Sequence, residues 1–553
     1  MNIGEMQRKL SLWAEQDKGR RFYGLFDLLS GMDWLRLAHD YVAQNAGSRT
    51  AGCDGVVMAK FDEDLEGNLQ RLQLALKSDL FVACPVRRVN IPKANGKVRP
   101  LGIPTIRDRI VQEAVRMILE PIYEADFCQS SYGFRPNRCT MDAIKHILYS
   151  TTEIKKFFWV IEGDISAYFD TINHRKLMKL LRHRIDDEKL LDLIWQFLRS
   201  GVMERKLFKD TKLGTPQGGI VSPLLANLYL HELDRFMERY TALSKKEKTA
   251  KRRGGLANYV YVRYADDFVV LCNGTKEQAE AIRQELQGFL SGTLRLTLSM
   301  EKTKVTHIND GFDFLGFHLK RSMGRHGMRV KTTISDKAIR RHLEAVQIAT
   351  SPEAHQDSIS TKLLALNRII AGWCRYFQYT SQAGTQFNET GSKTFWMVAH
   401  WLAGKHKLAM TETLRRFVRG SPRTLGTETE RLVRHSSFPV LTYAKRFVKP
   451  NPYTTQDTLE REELVLDSRA WLGQEDRPGM GDLRLLAIRR DGFRCRLCGA
   501  TVTCDTAQVD HIRPVSCYKL PVDANRLENL WTLCVRCHQE KTEYDRQRES
   551  RMR

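Results

Sequence analysis

Nowhere in these 553 residues does an apolar run reach the roughly 18 residues that a bilayer-spanning helix requires. The opening Met1-Asn2-Ile3-Gly4-Glu5 carries neither the basic nor the apolar block of a signal peptide, so a cytoplasmic location and no membrane partner are expected. Cysteine is too sparse for a secreted disulfide framework. Of 12 in the chain, six are scattered and six fall in the last 59 residues, which points to a reducing compartment with a local metal site near the C-terminus. There is no internal repeat of roughly 20–50 residues and no low-complexity tract. Acidic residues are also short: 65 Asp+Glu face 88 Lys+Arg, for a net charge of +23. An excess of that size is the electrostatic footprint of a polyanion binder. It is concentrated between residues 321 and 450, where 22 Lys+Arg stand against 8 Asp+Glu. Phosphate contacts are expected there.

A chain of this length exceeds one compact core, and three or four domains are expected. Residues 1–80 read as mostly helical, with apolar faces from Trp13, Phe22, Leu25, Phe26, Leu29, Trp34 and Leu37. Residues 86–104 read as a hairpin turning at Ala94-Asn95-Gly96. A long helix follows, with Ile110, Val111, Ala114, Val115, Ile118, Leu119 and Ile122 at helical spacing. Residues 157–320 mix strands and helices in a βα order. From about 330 to 450 the pattern is helical and carries Trp373, Tyr376, Phe377, Phe395, Trp396 and Trp401. Leu366, Ile370 and Trp373 share one helical face and are expected in the core, with Arg368 and Arg375 exposed. Residues 451–480 turn net acidic and read as a connector.

The sharpest chemical signal is Tyr264-Ala265-Asp266-Asp267, set between the β-rich runs Tyr259-Val260-Tyr261-Val262 and Phe268-Val269-Val270-Leu271. That pattern places two adjacent carboxylates on a tight hairpin turn. Their repulsion is relieved by a divalent cation; an ordinary Asp-rich turn is the plainer alternative. A second strand, Phe157 to Ile165, delivers another acid, Asp164. Strand ends in α/β sheets gather ligands. Asp164 and Asp266 together can hold two Mg²⁺ ions about 4 Å apart, the arrangement that drives in-line phosphoryl displacement.

Three segments in this order and spacing resemble the reverse transcriptase family. They are Asp164-Ile165-Ser166-Ala167-Tyr168-Phe169-Asp170, the run from Pro216-Gln217-Gly218-Gly219 to Asn227, and Tyr264-Ala265-Asp266-Asp267. Upstream, Ile91-Pro92-Lys93, Lys97 to Pro104 and Tyr132-Gly133-Phe134-Arg135-Pro136 resemble the fingers of its bacterial and organellar branch. Downstream, Lys302-Thr303-Lys304 and Phe314-Leu315-Gly316-Phe317 resemble the end of its palm. The resemblance spans roughly residues 80–320. It implies that Asp164, Asp266 and Asp267 occupy metal-site positions. Lys93 and Arg99 stand where the family grips the incoming nucleotide, and Lys302 falls among the nucleotide-binding positions. The bulk of Phe169 excludes a ribose 2′-hydroxyl, and Gln217 touches the nascent pair. A bacterial host is implied, with an organelle as the alternative.

The basic helical block, with Leu366-Asn367-Arg368-Ile369-Ile370-Ala371-Gly372-Trp373-Cys374-Arg375-Tyr376-Phe377, resembles the thumb and maturase segment of group II intron-encoded proteins. Aromatics interleaved with Arg and Lys suit folded RNA, and they equally suit a helical core. Near the C-terminus, Cys495-Arg496-Leu497-Cys498 and Cys534-Val535-Arg536-Cys537 are two CxxC knuckles 35 residues apart. Four thiolates suit a structural Zn²⁺. Residues 491–541 resemble the HNH nuclease family. In that likeness His511 is a general base, Asp510 and His538 hold one divalent ion, and Asn529 orients His511. His538 directly follows Cys537 and can alternatively be read as a zinc ligand; a four-cysteine site is preferred. Cys504 and Cys517 receive no role.

The resulting expectation is a multidomain α+β protein. A helical extension (1–80) leads to right-hand polymerase fingers and palm (81–325), then to a helical thumb/maturase domain (326–450). A connector or DNA-binding region (451–480) precedes a zinc-stabilised ββα HNH module (481–553). The implied function is a group II intron-encoded RNA-directed DNA polymerase that binds intron RNA to promote splicing, nicks target DNA and primes cDNA synthesis from dNTPs. Mg²⁺ at the polymerase and nuclease sites and Zn²⁺ in the knuckles are the implied cofactors. A splicing-only maturase and a retron or defence-type reverse transcriptase are the alternatives.

Overall fold

The computed structural model describes residues 2–92, 98–204, 207–209, 218–299, 303–324, 327–420, 423–443, 451–454, 483–484, 487–488, 490–502, 507–513, 524, 527–538 and 540–542. The N-terminal segment forms helices α1 (Ile3–Gln16), α2 (Leu25–Leu29), α3 (Met32–Gln44), α4 (Met58–Asp62) and α5 (Leu65–Lys77). Phe22, Leu25, Phe26, Leu29 and Trp34 are buried as their spacing predicts, and Trp13 and Leu37 pack partly buried against them. All join one core with α6 (Ile106–Glu124), whose residues are buried almost all round, the mark of a central helix. Arg109 on α6 donates to the carbonyls of Pro104, Gly47 and Thr50. It thereby ties down the loop that interrupts the N-terminal helices.

Before α6, strands β1 (Val86–Pro92) and β2 (Val98–Ile103) form the expected hairpin, in register from Arg87 opposite Ile103 to Pro92 opposite Val98. The chain continues through α7 (Thr140–Ser150), β3 (Trp159–Asp164), α8 (Tyr168–Thr171), α9 (His174–Leu181) and α10 (Glu188–Arg199). Then follow β4 (Val202–Glu204), β5 (Leu207–Lys209), α11 (Ser222–Thr241), α12 (Lys245–Arg253), β6 (Tyr259–Tyr264), β7 (Asp267–Cys272), α13 (Lys276–Phe289) and β8 (Val305–His307). Strands β4 and β5 extend the first hairpin into a sheet of order β2-β1-β4-β5.

The second sheet, of order β6-β7-β3-β8, is antiparallel at every pairing. The βα order of the sequence suggested the strand-end geometry of an α/β sheet; the strands run otherwise, and register is what brings the acids together. Along β7, Phe268, Val270 and Cys272 enter the core that contains α6, while Val269 and Leu271 enter a second core on the opposite face. Burial on both faces explains the unbroken apolar run, because successive side chains alternate across the sheet.

The second core also takes in β9 (Phe312–Phe314), β10 (Phe317–Gly324) and β11 (Gly327–Ile334), with helices α14 (Asp336–Ala349), α15 (Ile359–Phe377), α16 (Ala383–His406) and α17 (Met410–Phe417). The short strands β12 (Val418–Arg419) and β13 (Thr424–Leu425) follow. Leu366 and Ile370 are buried, Trp373 packs against them, and Arg368 and Arg375 are exposed, as their helical positions predict. The aromatics divide. Phe377 and Trp401 are core, while Tyr376 and Trp396 are 42% and 46% exposed.

Near the C-terminus, β14 (Gln508–His511) pairs antiparallel with β15 (Leu530–Leu533) over a small core of Ile488, Cys495, Val502, Ala507, Leu533 and Cys537. The whole is a multidomain α+β protein. Among the described residues no helix is long and apolar enough to cross a membrane.

Candidate active sites and metal centre

Register decides the first site. On the β3–β7 ladder Asp164 lies directly opposite Asp267, and on the β6–β7 ladder Tyr264 lies opposite Asp267. Ala265 and Asp266 are therefore the two-residue hairpin loop that the sequence predicts. Ala265 takes a positive φ of 56°, a conformation that costs a residue with a Cβ about 1–2 kcal/mol. The backbone positions of the three acids thus lie at one end of three adjacent strands. Their carboxylate oxygens are of the kind that suits a hard divalent cation, though they do not gather within 4.8 Å of one another as the four cysteine sulfurs near the C-terminus do. Glu162, two residues before Asp164 on β3, adds to the local acidity. Burial and the charge of Asp313 push it up to about 7, against the opposing charge of Lys304.

Beneath the turn lies a buried polar scaffold to which the sequence reading gave no role. Both oxygens of Asp234 on α11 accept from the Arg263 guanidinium, at 2.7 and 2.6 Å, and both side chains are fully buried. Burial opposes the charge on Arg263, and Asp234 more than offsets it, so the group stays above its ordinary range. Arg263 also donates to the carbonyl of Ala265 (2.9 Å) and to Asn227 (2.8 Å), whose amide in turn donates to the carbonyl of Gly133. A Cβ on Gly133 would lie 2.3 Å from the nitrogen of Ala265. Only glycine lets this segment pass under the acidic turn. A legible signal existed: Asp234 is a lone acid on a helical face otherwise made of Leu230, Leu233 and Met237. Such an acid calls for a buried cation.

Arg263→Leu strands Asp234 as an unpaired buried charge and should cost about 3–5 kcal/mol. Urea unfolding of the variant checks this. A loss under about 1 kcal/mol would mean that the pair does not hold the turn.

Cys128 and His231 also lie near Asp234, with ligand atoms within 4.8 Å of one another. The Arg263 fork already occupies that carboxylate, so the cluster is a polar knot in the core rather than a metal set.

The remaining polymerase residues are placed as follows. Phe169 sits on α8 at 9% exposure, edge-on to Tyr168, whose hydroxyl donates to the carbonyl of Ala226. Arg99 lies on β2 opposite Ile91, and its side chain falls outside what the structure describes. Lys93, Gln217 and Lys302 lie outside the described residues, as do Cys504 and Cys517.

In the C-terminal module the sulfurs of Cys495, Cys498, Cys534 and Cys537 come within 4.8 Å of one another, and His538 is not part of that cluster. The first knuckle is closed by Cys495 N–H donating to Ala500 and Gly499 N–H donating to Cys495. Burial resists ionisation of Cys495, yet backbone N–H groups at Cys498, Cys534 and Leu497 outweigh it and bring the thiol down to about 6. The neighbouring cysteines instead hold the Cys537 thiol well above its ordinary range; four sulfurs this close together fit Zn²⁺.

Asp510 and His511 end β14. The Asn529 side chain reaches past His511: its amide donates to the carbonyls of Arg513 and Ala524 and its oxygen accepts from Arg513 N–H, which pins the turn that follows His511. Asp510 is ion-paired with Lys541 at 3.1 Å, and the Lys541 side chain is 9% exposed. That lysine, on the segment after the second knuckle, was not singled out by its sequence context.

The sequence matches the reverse transcriptase (RNA-dependent DNA polymerase) family over residues 91–319, the group II intron maturase-specific domain over residues 339–418 and the HNH endonuclease family over residues 495–543. It is 44% identical over 359 residues to Protein YkfC of Escherichia coli (strain K12), covering 62% of this chain and 94% of that protein. It is 32% identical over 484 residues to the group II intron-encoded protein LtrA of Lactococcus lactis subsp. cremoris, covering 75% of this chain and 80% of that one. Similarity extends to nuclear intron maturase 1, mitochondrial, of Arabidopsis thaliana, at 27% identity over 43% of this chain and 45% of that protein. With these three domains in one chain, the protein is an RNA-directed DNA polymerase and DNA endonuclease that promotes splicing and homing, and it belongs to the group II intron-encoded reverse transcriptase/maturases.

Proposed function

We propose that Asp164, Asp266 and Asp267 form the polymerase centre of a right-hand enzyme whose fingers and palm occupy residues 81–325 and whose thumb/maturase domain occupies residues 326–450. The observation that carries this reading is the register of Asp164 with Asp267 beside the Ala265-Asp266 turn. When bound there, a pair of Mg²⁺ ions supplies activation of the primer 3′-hydroxyl and stabilisation of the departing pyrophosphate. The chain's own residues do the rest. Lys93, Arg99 and Lys302 bind the incoming dNTP, and an arginine fork suits phosphate geometry. Gln217 touches the nascent pair. Phe169 fills the space a 2′-hydroxyl would need. The exposed Arg and Lys of residues 321–450 meet the phosphates of the intron RNA.

In the HNH module (481–553), His511 takes a proton from the attacking water, Asp510 and His538 would hold one divalent ion at the scissile phosphate, and Asn529 orients His511 by fixing the turn that follows it. Zn²⁺ on the four cysteines supplies fold rather than chemistry. Residues 451–480 link the module to the polymerase and approach the target DNA. A cytoplasmic, bacterial setting fits the relatives. A splicing-only maturase or a retron-type enzyme is not favoured, since the sequence retains Asp164, Asp266 and Asp267 beside a maturase and an HNH domain.

Extension of a DNA primer on an RNA template tests the polymerase reading: Mg²⁺-dependent dNTP incorporation is expected, and its absence would leave a splicing factor only. In the same assay Phe169→Val should raise ribonucleotide incorporation relative to deoxyribonucleotide by at least about tenfold. An unchanged ratio would make Phe169 a core residue and nothing more.

A further inference from the structure

Helix α16 and the segment around residues 423–436 enclose a cavity of about 430 Å³. One wall is the α16 face of Phe387, Asn388, Gly391, Ser392, Thr394 and Phe395. The other contains Arg423, Leu432, Arg434 and His435. Its floor is buried and its rim exposed: Phe387, Thr394 and His435 are nearly sealed, while Asn388, Ser392, Arg423 and Arg434 face solvent. None of the described lining residues is acidic, so the charge they contribute inside is that of the two arginines. The close approach of the two walls depends on Gly391, where a Cβ would press on the His435 ring at 3.3 Å.

Thr394 supplies the second, independent observation. On the next helix the buried Thr413 returns its hydroxyl to the carbonyl four residues back, that of Ala409 (3.0 Å). Thr394 is 1% exposed, and among the described residues its Oγ1 has no hydrogen-bond partner. A sealed hydroxyl without a partner is costly to keep, and a bound group that completes its hydrogen bond removes the cost. His435 is hydrogen-bonded through Nε2 to Nε2 of His342 at 2.8 Å. Burial and that neighbour push it down to about 3, so the floor stays neutral.

We infer that this cavity receives one unstacked nucleotide of single-stranded RNA, its base against Phe395, its polar edge on Thr394, Asn388 and Ser392, and its phosphate between Arg423 and Arg434. The volume lies at the small end of the roughly 300–1,000 Å³ of ligand pockets and excludes a duplex. An aromatic face, short polar side chains and a cationic rim are the means by which proteins hold splayed-out bases. The assignment rests on the reading that residues 326–450 bind RNA, and gives that surface a defined point of contact.

The test uses the full chain, photocross-linked to a short single-stranded oligoribonucleotide containing 4-thiouridine, beside the same sequence as DNA containing 4-thiothymidine. Overall RNA affinity is read by filter binding on the same preparations. The RNA adduct is expected on the peptide that carries Thr394 and Phe395. Phe395→Ala should reduce its yield by about tenfold, the order of one stacked base. Thr394→Val should also lower it, while the melting temperature of that variant holds or rises, because the sealed hydroxyl is gone. Intact filter binding with no adduct on this peptide would overturn the pocket and leave the RNA-binding reading standing. Loss of filter binding altogether would overturn both. An equal adduct with the DNA strand would overturn the assignment to RNA.

Discussion

Asp266→Asn abolishes cDNA synthesis, by about a thousandfold or more, and leaves RNA binding within a factor of about two. The size follows from chemistry. Neutralising one acid removes a charged oxygen at the convergence of β3, β6 and β7, where several kcal/mol of transition-state stabilisation originates. The selectivity follows from structure. Asn is nearly the same shape as Asp and is accepted in turns. The turn itself is held from below by Arg263 through the carbonyl of Ala265, a bond that the substitution does not touch. RNA affinity draws on the basic residues beyond position 321, on other elements of the fold. Primer extension and filter binding on one preparation read both quantities. Residual synthesis within tenfold of wild type would remove Asp266 from the metal site. A parallel loss of RNA binding would show that the acid serves the fold instead.

His511→Ala stops DNA nicking and leaves extension of a supplied primer intact. Of the Asp510-His511 pair, only an imidazole ionises near neutral pH and can take a proton from water there. No residue assigned to the polymerase lies beyond the 451–480 connector. The module has its own core, centred on Ile488, Leu533 and two of the four cysteines. Cys495→Ser fails by another route. It removes one of four sulfurs, so zinc content is expected to fall and nicking to be lost with the local fold, since metal binding at such a site contributes to folding. Zinc content therefore separates the two variants: full in His511→Ala, depleted in Cys495→Ser. Cleavage by His511→Ala would overturn the nuclease centre, and loss of extension in either variant would show that the modules are not independent.

The features legible in the sequence were those governed by local rules. Period-2 and helical spacing located the hairpin at 86–104, helix α6 and the buried face of α15. The Tyr264-Ala265-Asp266-Asp267 run, flanked by β-branched and aromatic residues, gave both its turn and its chemistry. What could not be read from spacing depended on contacts distant in the chain. The antiparallel pairing of β3 with β7 joins segments about a hundred residues apart, and nothing local fixes its direction. Arg263 meets Asp234 across 29 positions, and Asn227 reaches back 94 to Gly133. Gly133 and Asn227 stood inside conspicuous motifs, but their use was visible only once the acidic turn lay above them. Lys541 was hidden for a similar reason, one lysine among many in a basic chain, paired with Asp510 only through the fold.

The central claim is that one chain makes the nick and then copies RNA from it. The most direct measurement combines the protein–intron RNA particle, target duplex and dNTPs, and resolves on a denaturing gel any cDNA covalently joined to the nicked strand. The expected result is a joined product from the wild type, a nick without extension from Asp266→Asn, and a joined product from His511→Ala only when the duplex is nicked beforehand. A joined product from Asp266→Asn, or from His511→Ala on intact duplex, would contradict it.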